Sequence, residues 1–593
     1  MKKFLLGLLS GFVLAGLALV IVAFALMRAG DRRAAVPDGS LLVMRLEGEI
    51  PEQAPVTIPL PVFESQSQAT VADLWSMLRQ AEKDQHIKAI LLEPRGLGAG
   101  WAKLDELRAG IRQFKKSGKP VYAYLRNPTA REYYLATAAD RIYFNPEDML
   151  DLKGLRAELA FYRKTLDKLG VEMEIEHAGK YKNAADAYVR NEATPETREV
   201  IGAMLDQLFG HLVESIATAR KLTPERVKAL IDEGPFLDQA ALSAKLIDGL
   251  LYEDQVRDEL KKQLKGQALE RLSHRDYLRS TAFGGGEQRS NKIALVVGEG
   301  AITRAGGEAD PFTSEEGIRS GPFMRLLRQV REDASIKGVV LRVNSPGGDA
   351  IASDEILHEV KLLAKRKPLV ISMSDVAASG GYYIAMTGDP VVAYPNTITG
   401  SIGVIYGKVN LKGLYNKLGV NTEIIQRGKN ADFDTSSRPM SEAARKKLRE
   451  GIASTYRAFL ERVAEGRRRK VGDIEPLAQG RVWMGAQAKG NGLVDELGGL
   501  DRAIDLVRQK ANIPAAERIQ LVPFPRKRTL FDQIFNAGDS SALIQLLGPA
   551  SADLAAMQAA RRLTRELGLE GLDPALWARG GVFCLPAFSL RIR

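Results

Sequence analysis

The chain has 593 residues, several times the usual length of about 100–200 residues for one domain, and its 45% hydrophobic and 26% charged residues exclude a disordered, collagen-like or polytopic membrane chain. Lysine and arginine total 84 against 73 acidic residues, a net charge of +11; this is a modest excess with no dense basic block, so nucleic acid is not an expected partner. The single cysteine, Cys584, excludes an intrachain disulfide and a thiolate metal cluster.

At the front, Lys2 and Lys3 precede an uncharged run over residues 4–27, closed by Arg28. At about 1.5 Å per residue this run reaches roughly 36 Å, enough to cross a hydrocarbon core of about 30 Å. It is longer than the apolar core of a cleavable signal, about 7–15 residues. Residues 1–37 are therefore expected to be a short stub and an uncleaved transmembrane anchor, with no later stretch spanning a membrane. Arg28, Arg32 and Arg33 balance Lys2 and Lys3, so charge bias leaves the orientation open.

Behind the anchor the chain repeats itself at a spacing of 249 residues. His86-Ile87-Lys88-Ala89-Ile90-Leu91-Leu92 matches Ser335-Ile336-Lys337-Gly338-Val339-Val340-Leu341, Tyr133-Tyr134-Leu135-Ala136 matches Tyr382-Tyr383-Ile384-Ala385, and Asp140 and Pro146 fall on Asp389 and Pro395. Similarity in one register over this length predicts a duplicated domain, with copies at 41–265 and 291–513. A linker at 266–290 contains Gly284-Gly285-Gly286. Residues 514–593 form a C-terminal extension without functional signal.

Within the second copy, apolar runs at 293–297, 338–343, 369–373 and 391–393 read as buried strands. Phe323, Leu326, Leu327 and Val330, then Ile356, Val360 and Leu363, recur at helical spacing between them. Such alternation predicts a mainly parallel α/β sheet covered by helices, with ligand sites at loops leaving the carboxyl ends of strands.

Two such loops are unusual. Asn344-Ser345-Pro346-Gly347-Gly348 follows one strand, and Ala377-Ala378-Ser379-Gly380-Gly381-Tyr382-Tyr383 follows the next. Paired glycines let backbone amides approach a developing negative charge, and a serine at a strand-to-helix turn exposes its hydroxyl near a helix N-terminus. The repeat supplies a control. Ser379 falls on Ala130, Gly380-Gly381 on Arg131-Glu132, and the Pro-Gly-Gly is missing from Pro94-Arg95-Gly96-Leu97-Gly98. A feature needed only for folding would be kept in both copies, so a nucleophile in one copy is the better account.

A serine nucleophile needs a base. His86, His211 and His274 read as structural or solvated, and His358-Glu359 lacks the second histidine of a zinc helix, since position 362 is Leu. His177 is the one imidazole candidate. The alternative is a lysine: Gly179-Lys180-Tyr181-Lys182 follows a strand-like run at 171–175, whereas the second copy has Gly428-Lys429-Asn430-Ala431 without the Tyr-Lys pair. Serine and lysine are thus each present where the other is absent, as a dyad shared across the copies would require. For Lys182 to serve, its pKa must fall from about 10.4 toward 7–8, which requires desolvation.

Ser-Pro-Gly-Gly, Ala-Ser-Gly-Gly-Tyr-Tyr, Thr399-Gly400-Ser401-Ile402-Gly403, the Tyr181-Lys182 pair, the duplication and the anchor together resemble the long-form signal peptide peptidase A (protease IV) family over roughly residues 1–513. The resemblance implies tandem ClpP/crotonase-like domains and a homotetramer on the outer, periplasmic face of the bacterial inner membrane. It implies cleaved signal peptides and similar apolar peptides as substrates, with no metal or cofactor. Carried onto matching positions, it makes Ser379 the nucleophile and Lys182 the general base, with Ser401 near the site. Gly347, Gly348 and Gly380 are then candidates for the oxyanion hole. Two rival readings remain open: a crotonase-like acyl-CoA enzyme on the same architecture, and a membrane scaffold whose site has decayed.

Overall fold

The computed structural model describes residues 35–53, 68–266, 268–280, 291–304 and 317–525, and the backbone of 581–584. The expected anchor lies outside the described residues.

Each repeat builds a sheet from near-continuous apolar runs, as a parallel sheet covered on both faces demands. In the first, the order is Gly249–Leu250, Arg141–Phe144, Val121–Leu125, Ile87–Leu97, Ser40–Gly48, Glu270–Ser273, with every pairing parallel. The second runs Val482–Met484, Ile398–Gly400, Leu369–Ala378, Ile336–Ser345, Asn291–Glu299, Ile519–Phe524, and Val391–Ala393 with Glu496–Leu497 branches from its middle. Only Val482–Met484 pairs antiparallel there. Helices recur at the spacing read from the sequence: Val71–Lys83 with Ser320–Glu332, and Trp101–Lys115 with Ala350–Ala364. Their starts follow ordinary capping chemistry, with Thr70 accepting from Asp73 N–H and Asp349 from Ala352 N–H.

Two expected boundaries need correction. The first repeat does not stop at 265: Glu270–Ser273 is an edge strand on Ser40–Val43, and the helix His274–Arg279 buries Tyr277, whose hydroxyl donates to Asp84 at 2.9 Å. The second does not stop at 513: Ile519–Phe524 pairs with Asn291–Val296. Pro523 fits there because an edge strand needs donors on one side only. Among the described residues, Pro195–Arg220 is long and apolar enough to cross a membrane by length and composition. Its stripe of Val200, Met204, Leu208, Leu212 and Ile216, however, is buried in the core of the first repeat.

A third sheet joins the two repeats. Glu172–Ala178 of the first lies antiparallel on Val404–Asn410 of the second, from Val404 opposite Ala178 to Asn410 opposite Glu172. The positions 249 residues away, 421–427 and 155–161, form no strand, so each repeat supplies a strand that the other lacks. Buried Glu174 fixes this pairing: it meets Lys408 and Arg445 at 3.0 Å each and accepts from the Met440 N–H, all of the second repeat.

Buried charges make the second junction. Arg342, with no exposed surface, donates to both oxygens of Glu52 at 3.1 and 2.9 Å and lies 3.2 Å from Glu106, both of the first repeat. Burial pushes the Glu52 carboxyl up, but Arg342 and Lys103 outweigh it and hold the group below the usual carboxylate range. Burial lifts Glu106 to about 7 against the pull of Arg342. A carboxyl raised this way gives stability that is complete below its unfolded value of 4.5 and is lost as pH rises through about 7. Between about pH 4.5 and 8 this site should cost the purified chain on the order of 3 kcal/mol. Thermal unfolding at both pH values checks it: Glu106→Gln should flatten that fall, and an equal fall in wild type and variant would remove Glu106 from the account.

Candidate active site

The strand Leu369–Ala378 ends at Ser379, and the short helix Gly380–Tyr383 starts immediately after it. Ser379 has φ 55° and ψ −115°, a conformation that costs a non-glycine residue about 1–3 kcal/mol and persists only where surroundings enforce it. Here its N–H donates to Gly400 O at 2.8 Å and its carbonyl accepts from Tyr383 N–H at 2.8 Å. The sharp turn sets the buried hydroxyl at the end of the strand, beside the first helical amides.

The neighbouring strand Ile336–Ser345 ends in the Pro346-Gly347-Gly348 turn, which feeds the helix Ala350–Ala364. The two turns touch. A Cβ on Gly380 would lie 2.7 Å from Ser353 Oγ and 3.0 Å from Gly348 N, so only glycine lets the helix start come alongside the Gly348 amide. The Gly347 N–H donates to Ser345 Oγ at 3.1 Å, so it is already engaged. Gly380 therefore lies directly beside the Gly348 amide.

From the other repeat, Glu172–Ala178 leads into Gly179-Lys180-Tyr181-Lys182. Tyr181 N–H donates across the junction to Gln479 O at 2.8 Å. Lys182 is 1% exposed, and its Nζ lies 2.8 Å from Ser379 Oγ, 2.9 Å from Ser401 O and 3.1 Å from Ser401 Oγ. The structure thus brings Lys182, Ser379 and Ser401 into mutual contact. Ser401, itself at φ 51°, is held by its N–H on Arg481 O at 2.7 Å.

The alternatives lie elsewhere. Lys180 is exposed and sits over the Tyr181 ring at 4.6 Å, and exposed His177 faces Gly179 O at 3.1 Å. His86 pairs with Asp84, His211 lies 3.3 Å from Asp105, and His358 is exposed. His274 is buried, and burial drives its pKa down to about 4.

Two contributors escaped the sequence reading. Gly480, at φ 74°, allows the approach of Lys182: a Cβ there would lie 2.7 Å from both Lys182 N and Lys182 Cβ. A glycine ending a polar stretch carries no sign of this, because the partner is some three hundred residues away. Asp375, four residues before Ser379, accepts from Gly100 N–H at 3.1 Å and Lys103 N–H at 2.9 Å. It thereby caps the helix Trp101–Lys115 of the other repeat, whose own N-cap residue is a glycine without a side chain.

The equivalent place in the first repeat is closed. Ala130 stands where Ser379 does, and Glu132, opposite Gly381, accepts from Leu97 N–H at 2.5 Å and Thr129 N–H at 2.9 Å. A carboxylate of the chain itself satisfies the loop amide there.

The model of peptidase family S49 matches residues 113–267 and again 361–514. The chain is 34% identical over 517 residues to serine protease SPPA, chloroplastic, of Arabidopsis thaliana, covering 86% of this chain and 74% of that protein. It is 32% identical over 543 residues to protease 4 of Haemophilus influenzae, covering 86% and 85%. Against protease 4 of Salmonella typhi it is 32% identical over 490 residues, covering 80% and 77%. With two copies of the family's domain and relatives of this kind along most of its length, the chain belongs to peptidase family S49 and is a serine protease of the protease 4 type.

Proposed function

We propose that Ser379 and Lys182, one from each repeat, form the catalytic pair of a membrane-anchored endopeptidase that degrades cleaved signal peptides and similar apolar peptides. The observation that carries this reading is the 2.8 Å contact between the Ser379 hydroxyl and a lysine amine with almost no exposed surface. Burial disfavours the charged form of an amine. A neutral amine has two N–H donors and one lone pair, and Ser379 Oγ, Ser401 O and Ser401 Oγ lie within hydrogen-bond reach of Nζ. Donation to Ser401 O and Ser401 Oγ leaves the lone pair for the Ser379 O–H.

The reaction is acyl transfer. Ser379 Oγ attacks the peptide carbonyl as Lys182 takes its proton, and the oxyanion rests on the Gly348 and Gly380 N–H groups. Lys182 then protonates the departing amine as the C–N bond breaks; in the second half it takes a proton from the water that attacks the ester carbonyl and returns it to Ser379 Oγ as the C–O bond breaks and the acid leaves. Ser401 positions the amine. One oxyanion donor is worth on the order of 10²–10³ in rate, so the turns carry as much of the catalysis as the pair does. The apolar run at 4–27 would hold this site beside the outer face of the inner membrane, where cut signal peptides accumulate, and the family resemblance implies four copies per assembly. A crotonase-like enzyme would use the amide pair for an enolate but gives no role to a buried lysine on a serine hydroxyl. A decayed scaffold gives no reason to keep Ser379 in a costly conformation.

Labelling with a fluorophosphonate and hydrolysis of an apolar peptide test the pair. Ser379→Ala and Lys182→Ala should each abolish labelling and lower hydrolysis on the order of 10⁴-fold; hydrolysis surviving Lys182→Ala would move the base to His177 or Lys180. The rate of the wild-type chain should climb between about pH 6 and 9 as the base becomes neutral, and a flat profile would count against an amine base. Gly480→Ala forces a methyl group against the Lys182 backbone and should cut kcat by about 10–100-fold at nearly unchanged KM, the scale of a misplaced catalytic group. Unaltered kcat in that variant would show that the approach is not needed.

A further inference from the structure

The backbone of Gly581–Cys584 returns to the site. It lies as a strand between Gly348–Asp349 and Val404–Asn410, antiparallel to both. Cys584 is opposite Gly348 and Phe583 opposite Asp349 on one side. On the other, Phe583, Val582 and Gly581 are opposite Ile405, Tyr406 and Gly407. Both flanking strands belong to the catalytic surroundings. Gly348 bears one of the two proposed oxyanion amides, and Val404–Asn410 begins three residues after Ser401 and carries on its far edge the strand that leads to Lys182. With neighbouring strands about 4.8 Å apart, the two flanks bound a lane one strand wide.

The direction of the strand matters. Residue numbers rise from Asp349's partner to Gly348's partner, so the segment runs, amino to carboxyl, toward Gly347 and the Ser379 turn. A peptide entering the lane this way pairs its acyl-side backbone with both flanks and brings the carbonyl that follows up to the hydroxyl. This is strand addition, in which main-chain hydrogen bonds supply affinity for any extended sequence.

Resting on the proposed catalytic reading, we infer that residues 581–584 are a built-in occupant of the peptide lane, a tethered competitor that substrate must displace. Four residues make few hydrogen bonds, each worth about 0.5–1.5 kcal/mol net, so the strand is weak enough to leave. Because it belongs to the same chain, it competes as an intramolecular ligand, so it raises the apparent KM and leaves kcat alone.

Proline removes a backbone donor and cannot sit between two paired strands. In the full chain, Val582→Pro and Phe583→Pro should therefore lower KM for a short apolar peptide several-fold, with kcat within about two-fold of wild type and faster fluorophosphonate labelling. A chain ending at residue 580 should behave the same way, and a synthetic peptide of residues 578–588 added to it should inhibit competitively while a scrambled peptide does not. Unchanged KM in all three variants overturns the inference, as does a fall in kcat, which would make the strand part of the scaffold. A Ser379-dependent cut just beyond Cys584 in the intact chain also overturns it, since the segment would then be a substrate. Ser379→Ala assayed beside these variants keeps the two readings apart: hydrolysis that persists in it defeats the catalytic pair, whatever the proline variants do.

Discussion

The seam between Glu172–Ala178 and Val404–Asn410 is the constraint on which the rest depends. Lys182 begins four residues beyond the end of the first of these strands, so its amine inherits the register of the ladder. A slip of one residue would carry the chain about 3.3 Å along the strand and turn every side chain to the opposite face. The contact of Nζ with Ser379 Oγ is 2.8 Å and would not survive it. Glu174 resists the slip because the wrong face would leave Lys408 and Glu174 buried without one another. Breaking a buried pair by removing one partner costs about 3–5 kcal/mol. The last approach is then set by backbone alone, through Tyr181 N–H on Gln479 O and the missing side chain of Gly480.

The second junction constrains the opposite side of the nucleophile strand. Arg342 with Glu52 and Glu106, and Asp375 on the helix start at Gly100, tie the strands before Ser379 to the first repeat. Desolvation of such ions offsets much of their mutual attraction, so the cluster adds less to stability than its hydrogen bonds suggest. It penalises misdocking instead, because any other arrangement leaves an unpaired charge in the interior. Two junctions on either side of Ser379 are sufficient to fix where one repeat presents a side chain to the other.

The architecture was legible where it is periodic. Buried strands such as Ile336–Ser345 and amphipathic helices such as Ser320–Glu332 follow from apolar spacing, and the duplication follows from one register. Ser379 and Lys182 were legible for a different reason: the two copies differ there, and the difference exposes what folding does not require. The edge strands Glu270–Ser273 and Ile519–Phe524 were not legible: the first is short, mostly polar and exposed, and the second carries Pro523, which argues against a paired strand. Nor was the pairing of Glu172–Ala178 with a strand more than two hundred residues away, since period-2 patterning reveals a strand but not its partner. Gly480 and the commitment of the Gly347 N–H to Ser345 Oγ depend on backbone conformation alone, and composition does not encode them.

Duplication explains why a site of this kind is divided. Each repeat lacks one strand and one of the two proposed reactive groups that the other carries. In the first repeat, Glu132 satisfies the Leu97 amide, whereas in the second Ser345 Oγ accepts from the corresponding Gly347 N–H, and Ala130 stands at the serine's position. In the second, residues 421–427 no longer form the strand that would carry a lysine. Neither half then holds a hydroxyl beside a buried amine on its own. The contact of Lys182 with Ser379 exists only when the cross-repeat sheet has formed. On the proposed pairing, no competent site exists while either half is still unfolded, and reactivity is confined to chains whose two halves have docked.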